Sequence, residues 1–266
     1  MTVFLRCFIC CQKCRIKVYS PEKEIFFMKR IEDMIIFEDR EILVCHKPAG
    51  FAVQNARIGT MDMESMIKNY LASKQPEKVP YVAVVHRLDQ PVEGVLVFAK
   101  TQKAARELSA QISGGKMKKE YLAVTYGKIE KEEGVLEDYL KKDGKNNTSF
   151  VVKPETPGGK KARLQYRLVD KCRDEKGKEK FLVHILLDTG RHHQIRVQMA
   201  HAGMPLAGDR KYGDGENGGR FPGLCSAALT FTNPSSKKMM QFQIKPEGEV
   251  FQGFADISFA EGAFWE

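Results

Sequence analysis

HRLDQPVEGVLVFAKT, residues 86–101, decides how this chain reads. The β-branched run at 81–85 predicts a strand leading into it, and 94–99 predicts a second strand leading out. Branched and aromatic side chains pack well on a pleated surface, which is why such runs favour strands. Between the two, Pro91 fixes φ and Gly94 tolerates a reversal, so the chain turns there. The turn holds one carboxylate, Asp89, with Arg87 two residues before it, which presents charged side chains at a sheet edge or cleft. An acid in a turn ordinarily caps backbone amides. This segment alone leaves capping and catalysis both open.

Working outward, apolar runs at 35–37 and 42–46 predict two strands, followed by the turn Lys47-Pro48-Ala49-Gly50. Residues 62–73 place apolar side chains at helical spacing behind an acidic start suited to the helix dipole. A second amphipathic helix is predicted at 102–112, ended by Gly114-Gly115, and strands at 119–126 and 181–187 precede a helix at 194–199. The middle, 128–180, reads as short strands separated by the basic loops KKDGKNN, PGGKK and KCRDEKGKEK, which are ordinarily solvated hairpin tips. Strands dominate without strict β-α-β alternation. The expected fold class is therefore α+β, with a mainly antiparallel central sheet and flanking helices.

The 266 residues, 42% hydrophobic, suffice for one substantial core or two lobes sharing a sheet. No apolar run reaches the roughly 18 residues that span a bilayer, so no membrane association is expected. Lys and Arg number 43 against 34 Asp and Glu, a net charge of +9. That excess suits a polyanionic partner, since bound Lys and Arg release counterions from phosphates; it equally suits a soluble basic protein without one. The scatter of Cys45, Cys172 and Cys225 fits a reducing cytoplasm better than a disulfide framework. Cys7, Cys10, Cys11 and Cys14 form adjacent pairs rather than pairs separated by a folding loop, so no metal is expected. Residues 1–30 are expected to be a poorly ordered extension, with Met28 as an alternative start, and 31–266 a single domain, monomeric and cytoplasmic.

Two further segments carry chemistry. DTGRHHQIRVQMAHAGMPLAGDRKYG, residues 188–213, concentrates Arg191, His192, His193, Gln194 and Arg196 just beyond a strand. The adjacent histidines should point in different directions on a helix or a strand and lack HExxH spacing, so they do not read as a metal site. Arg196, one turn into a helix, can pair with a buried carboxylate. In KKEYLAVTYG, residues 118–127, Tyr121 sits on a strand flanked by Lys118 and Lys119. A lone strand tyrosine is more often core than catalytic.

Together, HRLD followed by Gly and an AK dipeptide, KxYxAxxxG, and GRxHQIR leading to PLxGDxxYG resemble the RluA family of RNA pseudouridine synthases, over residues 35 to 234. DREILVCHKPAGFAV looks like that family's first strand pair and Lys-Pro-Gly turn. The resemblance implies the family's bent catalytic sheet, an rRNA or tRNA substrate, and no cofactor. It also implies roles. Asp89 would be the nucleophile, Tyr121 would stack on the target uracil and assist proton abstraction, and Arg196 would hold Asp89 by an ion pair. Arg87 would enter the RNA in place of a flipped base, with His86, Arg191, His193 and Gln194 as further RNA contacts. These roles are chemically coherent: extruding a base costs roughly a few kcal/mol, a planar guanidinium can stack in the vacancy, and a neighbouring Arg keeps a buried carboxylate ionised.

There are departures from the family pattern. Val92-Glu93 stands where Thr-Ser is common, and Cys225-Ser226 and Asn233 stand where His-Ala and His are common. Nothing before Met34 resembles the small RNA-binding domain that often precedes this catalytic domain, so RNA selection would fall to basic loops at 141–145, 160–163 and 171–180. The main rival is a catalytically inert RNA-binding protein on the same fold; Asp89, Tyr121 and Arg196 together argue against it. A hydrolase using Asp89 with His192 or His193 would need a second acid or metal-ligand spacing that is not found.

Overall fold

The computed structural model describes residues 30–55, 61–127, 129–213 and 219–255. The expectations for the first 29 residues, including the cysteine cluster, lie outside these. In chain order the elements are β1 (Ile35–Glu38), β2 (Ile42–Lys47), α1 (Met63–Lys74), β3 (Ala83–Val84), β4 (Glu93–Ala99), α2 (Gln102–Ser113) and β5 (Lys118–Thr125). There follow β6 (Glu133–Asp143), β7 (Thr148–Val152), β8 (Lys160–Arg173), β9 (Glu179–Leu187), α3 (Gln194–His201), β10 (Leu224–Thr232) and β11 (Met239–Gln243). The strands form one sheet in the order β1-β2-β4-β10-β5-β9-β8-β6-β7, with β3 also on β4 and β11 also on β10. Every pairing is antiparallel except β4 with β10. The α+β class and the mainly antiparallel sheet are as the sequence led us to expect.

The twofold period of a strand explains where the core sits. Leu43 and Cys45 of β2, with Leu96 and Phe98 of β4, pack on one face against Met63 and Ile67 of α1. Their alternates, Ile42, Val44, Val95, Val97 and Ala99, pack on the other face against Ala104 and Leu108 of α2. Both faces being covered, β4 is buried along its whole length and, after Glu93, reads as an unbroken run without polar side chains. The two helices start where side-chain oxygens accept from free amides, Asp62 from Ser65 N and Thr101 from Ala104 N.

Two expectations needed revision. The strand at 81–85 shrinks to Ala83–Val84. On that side of β4, β10 pairs with Glu93 and Gly94 and β3 with Phe98 and Ala99, while the next free amide, Val97 N, donates to the His86 side chain instead of a strand. The middle of the chain holds long strands, 11 residues in β6 and 14 in β8, rather than short ones. They lie towards the sheet's edge, where exposed and half-buried positions outnumber buried ones, so charged side chains interrupt the apolar pattern without ending the strand. The basic segments do form tips, at 144–147 and 174–177.

At the end of β1, Glu38 receives Lys100 Nζ at 2.6 Å, Lys74 Nζ at 2.9 Å and Tyr70 Oη at 2.9 Å. Burial pushes its pKa up, but the hydrogen bonds from Lys100, Lys74 and Tyr70 outweigh this and bring it from 4.5 to about 2. A depressed carboxylate pKa stabilises the fold above the unfolded value, and that contribution drains away as pH falls through the window from 4.5 to about 2. Glu38→Gln is therefore expected to lower the urea midpoint at pH 6 and to flatten its dependence on pH between 4.5 and 2. Parallel urea titrations of the two proteins would check it.

Candidate active site

Three neighbouring strands set the site's floor. Gly94 on β4 faces Ser226 on β10, and Ser226 faces Tyr121 on β5. At Gly94, φ is +146°, and an added Cβ would lie 2.4 Å from Ser226 Cβ and 2.6 Å from its backbone nitrogen. Only glycine lets these strands approach so closely. The Tyr121 phenol is buried and hydrogen-bonded to the Ser226 side chain; burial drives its pKa well up, the Ser226 bond opposes this, and the charge of Asp89 adds to it. The departure at Ser226 thus supplies the tyrosine's partner.

Asp89 sits in the loop between β3 and β4, and a buried lysine fixes that loop. Lys47, at 0% exposure, donates to the carbonyls of Pro48 (3.0 Å), Phe51 (2.8 Å) and Gln90 (3.1 Å). Burial pulls its pKa down to about 7, against the charges of Asp89 and Glu93. Gly50 N also donates to Gln90 O, at 2.8 Å. The Lys-Pro-Ala-Gly turn is thereby stitched to the residue after Asp89, while Val92 N closes the turn on Asp89 O at 3.0 Å.

The third wall is α3 and the loop after it. Arg196 is buried and makes a fork with Asp209, Nε to Oδ2 and Nη2 to Oδ1, each at 2.7 Å. Its remaining terminus, Nη1, lies 3.3 Å from Asp89 Oδ2. Burial would favour a neutral Arg196, but the hydrogen bonds and charge of Asp209, followed by those of Asp89, raise its pKa instead. The ion pair to Asp89 expected from the sequence is present, yet it is the arginine's weaker contact. Asp209 went unnoticed in the sequence, because an acid after a loop glycine looks like an ordinary turn residue. It is that as well, accepting from Lys211 N at 3.0 Å and Tyr212 N at 3.3 Å.

A cavity of about 930 Å³ opens between these walls, with Arg87, Asp89, Lys119, Tyr121, Arg191 and Arg196 on its lining. Arg87 and Arg191 are exposed at this cavity, and Arg191 Nε donates to Lys161 O at 2.9 Å. Three other residues expected to contact RNA also line this cavity, but their side chains are buried and hydrogen-bonded or paired within the protein. His86 is buried, and its Nε2 accepts from Val97 N at 3.1 Å, which ties the loop to β4. Gln194 is buried, donating to Gln198 Oε1 and Arg163 O while accepting from Arg191 N and Thr189 Oγ1, so it shapes the turn into α3. His193 is buried beside Asp89, with Nε2 3.5 Å from Oδ2. Nor do the two histidines diverge: His193 adopts φ +53° and its ring stacks on His192 with centroids 3.8 Å apart. The loops at 141–145 and 160–163 lie near the cavity, which Lys142 lines, but 171–180 is at the far end of β8 and β9 from Asp188.

Glu93, the second departure, is buried and accepts from Glu247 N and Gly248 N, each at 3.1 Å. It fastens the segment after β11 to the strand that follows Asp89, and Lys180 fastens the same segment through Val250 O and Gln252 O. Asn233 holds the β10–β11 turn, donating to Asp39 Oδ2 at 2.8 Å and accepting from Ser235 N and Ser236 N. Among the described residues no group of three or more His, Cys, Asp and Glu side chains is arranged to hold a metal ion. None of the described helices is long and apolar enough to cross a membrane.

The family model for RNA pseudouridylate synthase matches residues 41–201, which includes Asp89, Tyr121 and Arg196. The chain belongs to this family. A relative from Nitrosomonas europaea, "Ribosomal large subunit pseudouridine synthase D", is 38% identical over 181 residues, 67% of this chain and 49% of its own length. "Uncharacterized RNA pseudouridine synthase YlyB" from Bacillus subtilis is 30% identical over 235 residues, 86% of this chain and 74% of its own. The chain thus spans about half the length of the first of these pseudouridylate synthase relatives and three quarters of the second. The fold is shared with the human "RNA Pseudouridylate Synthase Domain Containing 1", at TM-score 0.66 and 19% identity over 82% of this chain and 85% of that one.

Proposed function

We propose that this protein converts specific uridines in RNA to pseudouridine, with Asp89 as nucleophile. The observation that carries the reading is the convergence of Asp89, Tyr121 and Arg196, from three separated segments, on one cavity. Arg87 at the same cavity is suited to fill the gap left by an extruded uridine, since a guanidinium is planar, stacks and contacts phosphate. Asp89 displaces uracil at ribose C1′ or adds to uracil C6. In either course the N1–C1′ bond breaks, the base turns, C5 bonds to C1′, C5 loses its proton and N1 gains one. Product and substrate are isomers, so the net change calls for no redox partner and no water. A phenol with a raised pKa is a donor in the resting site, so stacking on the uracil is the role we assign to Tyr121.

Relatives named for the ribosomal large subunit make its rRNA the first substrate to test. Transcripts of large-subunit rRNA and of tRNA, labelled with tritium at uridine C5, would be incubated with the protein. Label release equal to a whole number of sites in the rRNA is expected, and release from tRNA alone would replace rRNA as the substrate. Release from neither RNA would count against the enzyme and favour an RNA-binding protein on the same fold.

A further inference from the structure

The turn into α3 puts His193 between two oxygens. Nδ1 lies 2.6 Å from Tyr212 Oη, and Nε2 lies 3.5 Å from Asp89 Oδ2. Tyr212 Oη already accepts from Ser149 N, at 2.8 Å. A phenol has one proton to give, and a neutral imidazole has one donor and one acceptor nitrogen. With the amide of Ser149 pointing in, the phenol's proton goes to Nδ1. Nε2 then carries the ring proton and aims it at Asp89. His193 is neutral at ordinary pH: burial lowers its pKa to about 4, against the pull of Asp89 and with the help of Arg196.

Arg196 Nη1 approaches the same carboxylate oxygen, Oδ2, at 3.3 Å. Both donors therefore fall on one oxygen of Asp89. We propose that His193, its tautomer set by Tyr212, is a positioning residue that joins Arg196 in holding Oδ2 and leaves Oδ1 as the oxygen that bonds to substrate. This rests on the reading of Asp89 as the nucleophile. At 3.5 Å the contact is longer than an ordinary hydrogen bond; catalytic hydrogen bonds often tighten only when substrate is bound. The packing around the pair survives gentle substitution. Arg196 lies over the Tyr212 ring at 5.1 Å and the His193 ring meets its edge at 5.5 Å, contacts that Phe can keep. Asn tolerates the left-handed backbone of His193.

The test compares His193→Asn, His193→Gln and Tyr212→Phe in single-turnover tritium release, alongside the tautomer read from the ring ¹⁵N signals of His193. Gln can return an N–H near the Nε2 position, whereas Asn replaces only the Nδ1 side. His193→Asn and Tyr212→Phe should each slow the chemical step about 10- to 100-fold, the scale of a misplaced catalytic group, with RNA affinity unchanged. His193→Gln should recover most of the rate. The double variant His193→Asn with Tyr212→Phe should be no slower than His193→Asn alone, because the two act as one unit. In the unaltered protein the ring should carry its proton on Nε2, and Tyr212→Phe should admit the other tautomer. An active protein whose His193→Asn form keeps its rate, or whose ring is protonated on Nδ1, would overturn the proposal and leave the proposed function standing. An unaltered protein that releases no label overturns both.

Discussion

Asp89→Asn is expected to release no tritium above background from RNA that the unaltered protein processes. The fall should be on the order of 10⁴-fold or more, as when a covalent nucleophile is removed. The amide has nearly the same shape, so the comparison isolates chemistry from folding. Asp89 lies in a loop with its side chain 26% exposed, outside the hydrophobic core, and the hydrogen bond from Val92 N to its carbonyl does not involve the side chain. Arg196 keeps its fork to Asp209 when Asp89 loses its charge. Thermal stability and RNA affinity should therefore stay close to those of the unaltered protein. Label release that persists in Asp89→Asn would remove this carboxylate from the mechanism.

Asp209→Ala should act on the fold first. Arg196 and Asp209 have side chains only 4% and 0% exposed, and removing one member of such a pair leaves a charge buried without its counterion. The expected loss is about 3–5 kcal/mol, which for a domain of this size lowers Tm by about 6–20 °C. Two backbone amides, of Lys211 and Tyr212, lose their acceptor at the same stroke. Asp209→Asn, which can still accept from those amides, should fall between. Replacing both partners, Arg196→Met with Asp209→Leu, should be less damaging to stability than Asp209→Ala alone, because no uncompensated charge remains. Chemical denaturation of the three variants measures this directly. A loss below about 0.5 kcal/mol in Asp209→Ala, the level of ordinary surface changes, would mean that water or Asp89 takes over the arginine's charge.

What could be read from the sequence follows from how each residue is buried. β4 was legible because both its faces are covered, leaving an uninterrupted run without polar side chains after Glu93. β6 and β8 were not, since their many exposed positions carry charges that mimic loops. Asp89, Tyr121 and Arg196 stood out through motifs taken in combination, and they do share a cavity. Lys47 and Asp209 lay inside those same motifs, yet their weight comes from complete burial with several partners, a property of the folded chain. The burial of His193 and Gln194 was not legible for a related reason. A run of basic and polar residues suggests an RNA-facing surface, but a left-handed turn at His193 carries both side chains inward, where other polar groups receive them.

The parallel pairing of β4 with β10 has a consequence for biosynthesis. β10 is the thirteenth of the fourteen strands and helices described, so it is made only after Asp89, Tyr121 and Arg196, yet it lies between β4 and β5. Among the described residues no strand pairing links β4, which follows Asp89, to β5, which carries Tyr121, until Leu224–Thr232 is available. Contacts between segments so distant in the chain form slowly. The nascent polypeptide thus carries Asp89, Tyr121 and Arg196 well before the sheet between them is complete, and the setting of the proposed nucleophile is finished by one of the last strands to be made.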